Sequence, residues 1–296
     1  MTETANQRAA NMAGILYMTI AIFMLSAMDT VAKWLVEADY SVFQILFVRG
    51  CINLAVLLIA MPFLGGPTLL RTSRLWAHAI RSLFGFIAPF LFFTALISMP
   101  LAEATVVFFI SPFVMTALSV PLFKEKVGIH RWGAILVGFA GVVYVAQPTS
   151  EVFNPAVLFV IGGSLSYCFL MLASRWLGKT ESTFTIIFYL TLGTTLIGAC
   201  AMPFVWKDMP LLDVGIISLM AILSLMGNIF IIRAFMTGEV GVITPFEYTG
   251  LLWAVLLGFV FFNEIPTINV WIGISVIAAS GLYLVYRENR KRPDQI

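Results

Sequence analysis

The sequence predicts an all-α integral membrane protein: ten transmembrane helices forming two inverted five-helix repeats, with both termini in the cytoplasm. Three observations predict it. Of the 296 residues, 60% are hydrophobic and only 11% charged, with a mean hydropathy of +0.99; a soluble domain carries about 25% charged residues. Ten stretches are apolar over the roughly 20 residues that a helix needs to cross a hydrocarbon core. Finally, the stretch 95–144 maps without a gap onto 234–283 at a constant offset.

Each element follows from its residues. Residues 1–13 are polar, with Arg8 as their only base, and are expected in the cytoplasm. The apolar run after them is too long for a signal-peptide core and reads as a retained first span, 14–35. The second span, 41–63, stops at the Gly and Pro of "FLGGPTLLRTSR". Spans three and four, 77–97 and 103–122, contain Pro89 and Pro112, expected as kinks. Span five, 129–147, presents Ala134, Gly138 and Gly141 on one face, where small residues allow close helix contact. After "QPTSEVFNP" come spans at 155–174, 183–204, 213–235, 241–262 and 268–286, separated by short polar or Pro-containing breaks. The repeats therefore occupy 14–147 and 155–286, followed by a basic cytoplasmic tail, 287–296.

The bases orient the chain. Alternating the loops puts Arg8, Arg71, Arg74, Arg81, Lys124, Lys126, Arg131, Arg175, Lys179, Arg233, Arg287, Arg290, Lys291 and Arg292 on one side. Only Lys33 and Lys207 fall on the other, and Arg49 lies inside a span. The positive-inside rule makes the crowded side cytoplasmic. Arg81 and Arg233 read as topology anchors near that face.

At the repeat offset Ala95 meets Ala234, Thr105 meets Thr244, Glu125 meets Glu264, Trp132 meets Trp271 and Tyr144 meets Tyr283. "AKWL" at 32–35 echoes "SRWL" at 174–177. Five spans is an odd number, so the second copy enters the membrane from the opposite side. Its loop has lost the bases accordingly: Lys124, Lys126, His130 and Arg131 correspond to Asn263, Ile265, Asn269 and Val270. Inverted repeats of this kind place a substrate site between the halves near the bilayer midplane.

On "PLFKEKVGIHRWGAILVGFAGVVYV" and its counterpart "FFNEIPTINVWIGISVIAASGLYLV", the chain resembles the drug/metabolite transporter superfamily, as a ten-helix protein with two EamA-type domains. "SAMDTVAKWL", "LFVRG" and "TPFEYTGLLWAVLLG" are most similar to a bacterial branch that includes riboflavin and S-adenosylmethionine uptake proteins. The resemblance implies a secondary transporter of a small organic metabolite in the bacterial inner membrane, with riboflavin, S-adenosylmethionine or an amino-acid-like compound as substrate. An amino-acid or drug exporter of the same fold is the alternative.

Polar residues inside apolar spans are the candidate site. Glu247 would cost about 2.5 to 3.5 kcal/mol at a lipid-facing helix centre, so it should face the interior or a water-filled cavity. It stands about 9 Å from the cytoplasmic end of its span, beside Pro245, and binds substrate or proton unless it is a structural ion pair or hydrogen bond between helices. Arg49 is the buried cation of span two, or else a side chain snorkelling to the outer interface. Asp29 and Lys33 share a helix face and could form a local ion pair; otherwise Asp29 faces the cavity. An Arg49–Glu247 pair is also weighed. Asn228 and Tyr248 complete the expected substrate lining, with Asn53 and Thr244 as secondary candidates.

Other chemistries lack their residues. Cys51, Cys168 and Cys200 lie in separate apolar stretches with no metal-ligand spacing, and read as buried hydrophobes. "ASRWLGKT" at 173–180 lacks the first Gly of a phosphate-binding loop. His78 and His130 are placed in cytoplasmic loops, away from Asp29. A polytopic membrane enzyme is therefore the minor reading, and no cofactor or metal is expected. The expected partners are a small-molecule substrate and the lipid bilayer, with proton or exchange coupling and a homodimer as further options, and no nucleic acid.

Overall fold

The computed structural model describes residues 2–123, 129–147, 154–178, 180–238 and 240–290. Lys124, Glu125, Lys126, Lys179, Lys291 and Arg292 lie outside these residues, as do the side chains of Arg131, Arg175, Thr244, Arg287 and Arg290. Among the described residues every regular element is helical: α1 (Thr2–Glu37), α2 (Val42–Leu64), α3 (Leu75–Leu96), α4 (Leu101–Phe108), α5 (Ser111–Phe123), α6 (Ile129–Ala146), α7 (Ala156–Leu177), α8 (Thr183–Val205), α9 (Leu211–Thr237), α10 (Val240–Ile243), α11 (Thr249–Phe262) and α12 (Ile268–Arg290). Among the described residues eight helical spans are long and apolar enough to cross a membrane, and Trp132–Ala146 and Ile268–Tyr283 are two shorter apolar helices. The chain is a multi-pass helical membrane protein.

Two spans depart from continuous helix. The span expected at 103–122 is interrupted at Phe109 and Ile110, between α4 and α5. Pro112 is the second residue of α5, where its missing N–H has no helical partner to lose; it follows a break instead of kinking an unbroken helix. The span expected at 241–262 opens with α10 and a 3₁₀ turn over Thr244–Tyr248 before α11 begins. The tight turn is compatible with Pro245 near its start. Glu247 and Tyr248 thus stand on the turn and not on a regular helix.

Packing relies on small residues. α1 lies along α9, α3 along α7, α2 on α8 and α6 on α12. A methyl group added at Gly227 of α9 would come within 2.9 Å of Leu25 in α1, and one at Gly50 of α2 within 2.3 Å of the Thr195 hydroxyl in α8. Gly138 and Gly141, expected to permit close contact, abut Phe113 of α5 and Val276 of α12 respectively. Such approach lets dispersion forces hold helices together where lipid removes the hydrophobic drive.

Both ends of the bundle are tied by polar contacts. Toward one end, Gln44 exchanges two hydrogen bonds with the Lys207 backbone, at 2.6 and 3.0 Å, and Tyr40 donates to Asp213. At the other, Arg81 is 4% exposed and donates to Ser174 Oγ (2.8 Å) and the Ile186 carbonyl (2.9 Å). It brackets α3 to α7 and α8, a structural role beyond that of a topology anchor. The placement of His78 is corrected: α3 already begins at Leu75, so His78 is buried in that helix against Tyr189 (ring centroids 4.7 Å) and not in a loop. Arg233 is exposed. Cys168 is buried as expected, whereas Cys51 and Cys200 are exposed on helices of the apolar bundle.

Candidate functional site

Besides Arg81 and His78, three ionisable groupings stand out inside or at the rim of the bundle among the described residues. The first joins α1 and α2. Asp29 and Arg49 are deeply surrounded by protein, retain partial exposure and feel each other's charge, yet form no direct ion pair. The guanidinium Nη1 lies 3.6 Å from Met28 Sδ, and the group sits 5.9 Å from the Phe93 ring centroid. Asp29 makes no hydrogen bond among the described residues. Arg49 forms no ion pair with Glu247, the other partner considered, among the described residues.

The second grouping centres on the 3₁₀ turn. Glu247 is enclosed by protein with partial access, and its carboxylate makes no ion pair or hydrogen bond among the described residues. The structural reading of Glu247 as an interhelical clasp has no bond to support it. Tyr167 and Tyr248 lie within its electrostatic reach. Aromatic rings continue from there: Tyr248 to Phe109 at 5.6 Å, Tyr167 to Phe108 at 5.4 Å and Phe108 to Phe92 at 5.2 Å. Such faces can stack on a flat ring.

Tyr248 is positioned from behind by α12. A Cβ added at Gly281 would fall 1.8 Å from the Tyr248 hydroxyl oxygen, an impossible separation. Gly281→Ala should therefore displace the Tyr248 ring and weaken substrate uptake while leaving the bundle folded. Uptake and thermal unfolding measured on the same preparation check this; unchanged uptake would remove Tyr248 from the site.

The third grouping was not legible in the sequence. Lys33, 3% exposed, forms an ion pair with Glu264 and donates to the Met99 carbonyl at 3.0 Å. Glu264 also accepts the Leu101 N–H, 2.8 Å away at the start of α4, a favourable place for a carboxylate. Asn263 makes this possible: its left-handed conformation (φ 54°) ends α11, and the turn returns the Glu264 N–H to the Gly258 carbonyl at 3.1 Å. Lys33 thus leaves Asp29 unpaired within α1; its second carboxylate is Glu37, at 3.8 Å. The available signal was Lys33 itself, one of two bases stranded on the sparsely charged side.

Of the remaining candidates, Asn228 is exposed on α9 and donates to the Ser224 carbonyl (2.7 Å) in its own helix. Asn53 Oδ1 is buried without a partner among the described residues. A groove of about 440 Å³ between α6 and α12 and another along α11 are almost wholly apolar, and neither contains Asp29, Arg49 or Glu247. The described residues contain no cluster of three or more metal-ligating side chains.

A polytopic helical bundle with ionisable and aromatic side chains in its interior fits a membrane transporter. The chain belongs to the EamA-like transporter family, whose model matches residues 12–147 and again 154–287. It is 27% identical over 286 residues to an S-adenosylmethionine uptake transporter of Rickettsia conorii, covering 95% of this chain and 97% of that protein. It is 26% identical over 286 residues to a riboflavin transporter of Vibrio cholerae, covering 94% of each. One solved crystal structure shares the fold, with a TM-score of 0.66 at 20% identity over 97% of this chain and 99% of that one.

Proposed function

We propose that this protein is a secondary transporter that moves a small organic metabolite across a bacterial inner membrane by alternating access between two inverted halves, 14–147 and 155–286. The observation that carries the reading is the matched interruption of the two halves. At the repeat offset the break at Phe109 and Ile110 maps onto Tyr248 and Thr249, where the 3₁₀ turn over Thr244–Tyr248 ends, and the corresponding rings of Phe109 and Tyr248 lie 5.6 Å apart. Broken helices at a repeat interface are where secondary transporters bind their substrates.

The helix partnerships support the same reading, since α1 on α9 corresponds to α7 on α3, while α2 on α8 and α6 on α12 each join a helix to its own counterpart. Asp29, Arg49, Glu247 and Tyr248 line the route, with Asn228 beside it, and the Lys33 end is the outer one. Relatives named for S-adenosylmethionine and riboflavin make these the first substrates to try.

The test is uptake of each labelled compound into proteoliposomes, with and without unlabelled compound preloaded inside. Saturable uptake accelerated by the preload is the expected result for an alternating-access carrier. Saturable flux for neither compound, nor for a panel of amino acids, would defeat the proposal.

A further inference from the structure

Arg81 and Arg49, both set among helices, differ in a way that function explains and folding does not. Arg81 places its donors on Ser174 and on the Ile186 carbonyl. Arg49, equally a guanidinium among helices, has no oxygen acceptor among the described residues, only the Met28 sulfur and the Phe93 ring. The carboxylate whose charge it feels, Asp29, stops short of an ion pair and accepts no hydrogen bond among the described residues. Where charges serve the architecture they do close, as Lys33 does on Glu264 and Met99. Both side chains keep partial exposure, so a solute can reach them, and opposite charges left open at an accessible position inside a bundle offer donors and acceptors to a ligand.

We propose that Asp29 and Arg49 bracket the α-amino-carboxylate group of the transported metabolite, its carboxylate on the Arg49 fork and its ammonium on Asp29. This rests on the transporter reading above and narrows it to a substrate class. A lone anion would suit Arg49 and be repelled by Asp29, and a lone cation would meet the reverse. A zwitterion carries both signs on one carbon, satisfies both side chains at once and adds no net charge to the bundle. Phe93 and Met28 supply apolar walls beside it. Riboflavin, which has no such group, would leave both charges unanswered.

Two nucleosides isolate the head group: S-adenosylhomocysteine carries it, and 5′-methylthioadenosine is a comparable thioether without it. Binding is read from thermal unfolding of the full chain purified in detergent, because a ligand of the native state raises apparent stability. S-adenosylhomocysteine and S-adenosylmethionine should bind roughly ten- to hundredfold more tightly than 5′-methylthioadenosine, the worth of charge-assisted hydrogen bonds. Asp29→Asn combined with Arg49→Gln removes both charges together and so leaves neither stranded. That variant should unfold no lower than the parent without ligand, yet lose the discrimination.

Equal binding of the nucleoside without the head group overturns the proposal. So does stabilisation by riboflavin alone, or none by either adenosyl amino acid or by methionine. Uptake of any panel compound by the proteoliposomes would, in each case, leave the transporter reading standing.

Discussion

Replacing Lys33 by Met should lower the stability of the protein by about 3 to 5 kcal/mol, the usual cost of removing one partner from a buried ion pair. The loss comes less from the missing attraction than from what remains. Glu264 would keep only the Leu101 N–H, and the Met99 carbonyl would lose its donor, in a setting where 18% exposure gives the carboxylate little access to water. Glu264→Gln should be milder, because Lys33 retains the Met99 carbonyl and the Glu37 carboxylate. Joining the two substitutions should recover most of the loss. Thermal unfolding in detergent of the two single variants and the double variant measures the coupling, and strictly additive effects would show that the pair contributes nothing of its own.

Glu247→Gln should behave in the opposite way. Uptake should fall roughly ten- to hundredfold, as a charge-assisted contact with substrate or proton is lost, while the unfolding temperature stays level or rises. The rise follows from the structure: a carboxylate with no ion pair or hydrogen bond among the described residues is a cost to the folded state that its amide reduces. Paired measurements of flux and unfolding decide it. A variant that transports normally but unfolds early would return Glu247 to an architectural role.

These two glutamates mark how far the sequence can be read. Hydropathy reveals spans because lipid imposes the same length on each of them, and Glu247, which at the repeat offset meets Phe108 of the first copy, stands out because charge is rare there. It could also be seen that Glu247 and Tyr248 follow a Pro, where helix is easily broken. The matching break at Phe109 and Ile110 was less visible, since Pro112 reads equally as a kink or as a helix start. What the sequence conceals is which distant groups meet. Lys33 and Asp29 are four residues apart and invite pairing, yet each turns to a different helix, Lys33 across 231 positions to Glu264 and Asp29 toward Arg49. Arg81 was concealed for the same reason: position near a span's end suggests an interfacial base, and only packing against α7 and α8 reveals its acceptors.

The separation of Lys33 from Glu264 also sets an order on biogenesis. Lys33 lies in α1, and its carboxylate is made 231 residues later. At roughly 5 to 20 residues per second, the first helix waits on the order of ten to fifty seconds with a cation that has no permanent counter-charge. During that interval it must remain at the membrane surface or borrow Glu37, 3.8 Å away in the finished protein. The contact of Lys33 with Glu264 can therefore close only after α11 has been made, so a chain that stops before Glu264 leaves Lys33 without this carboxylate.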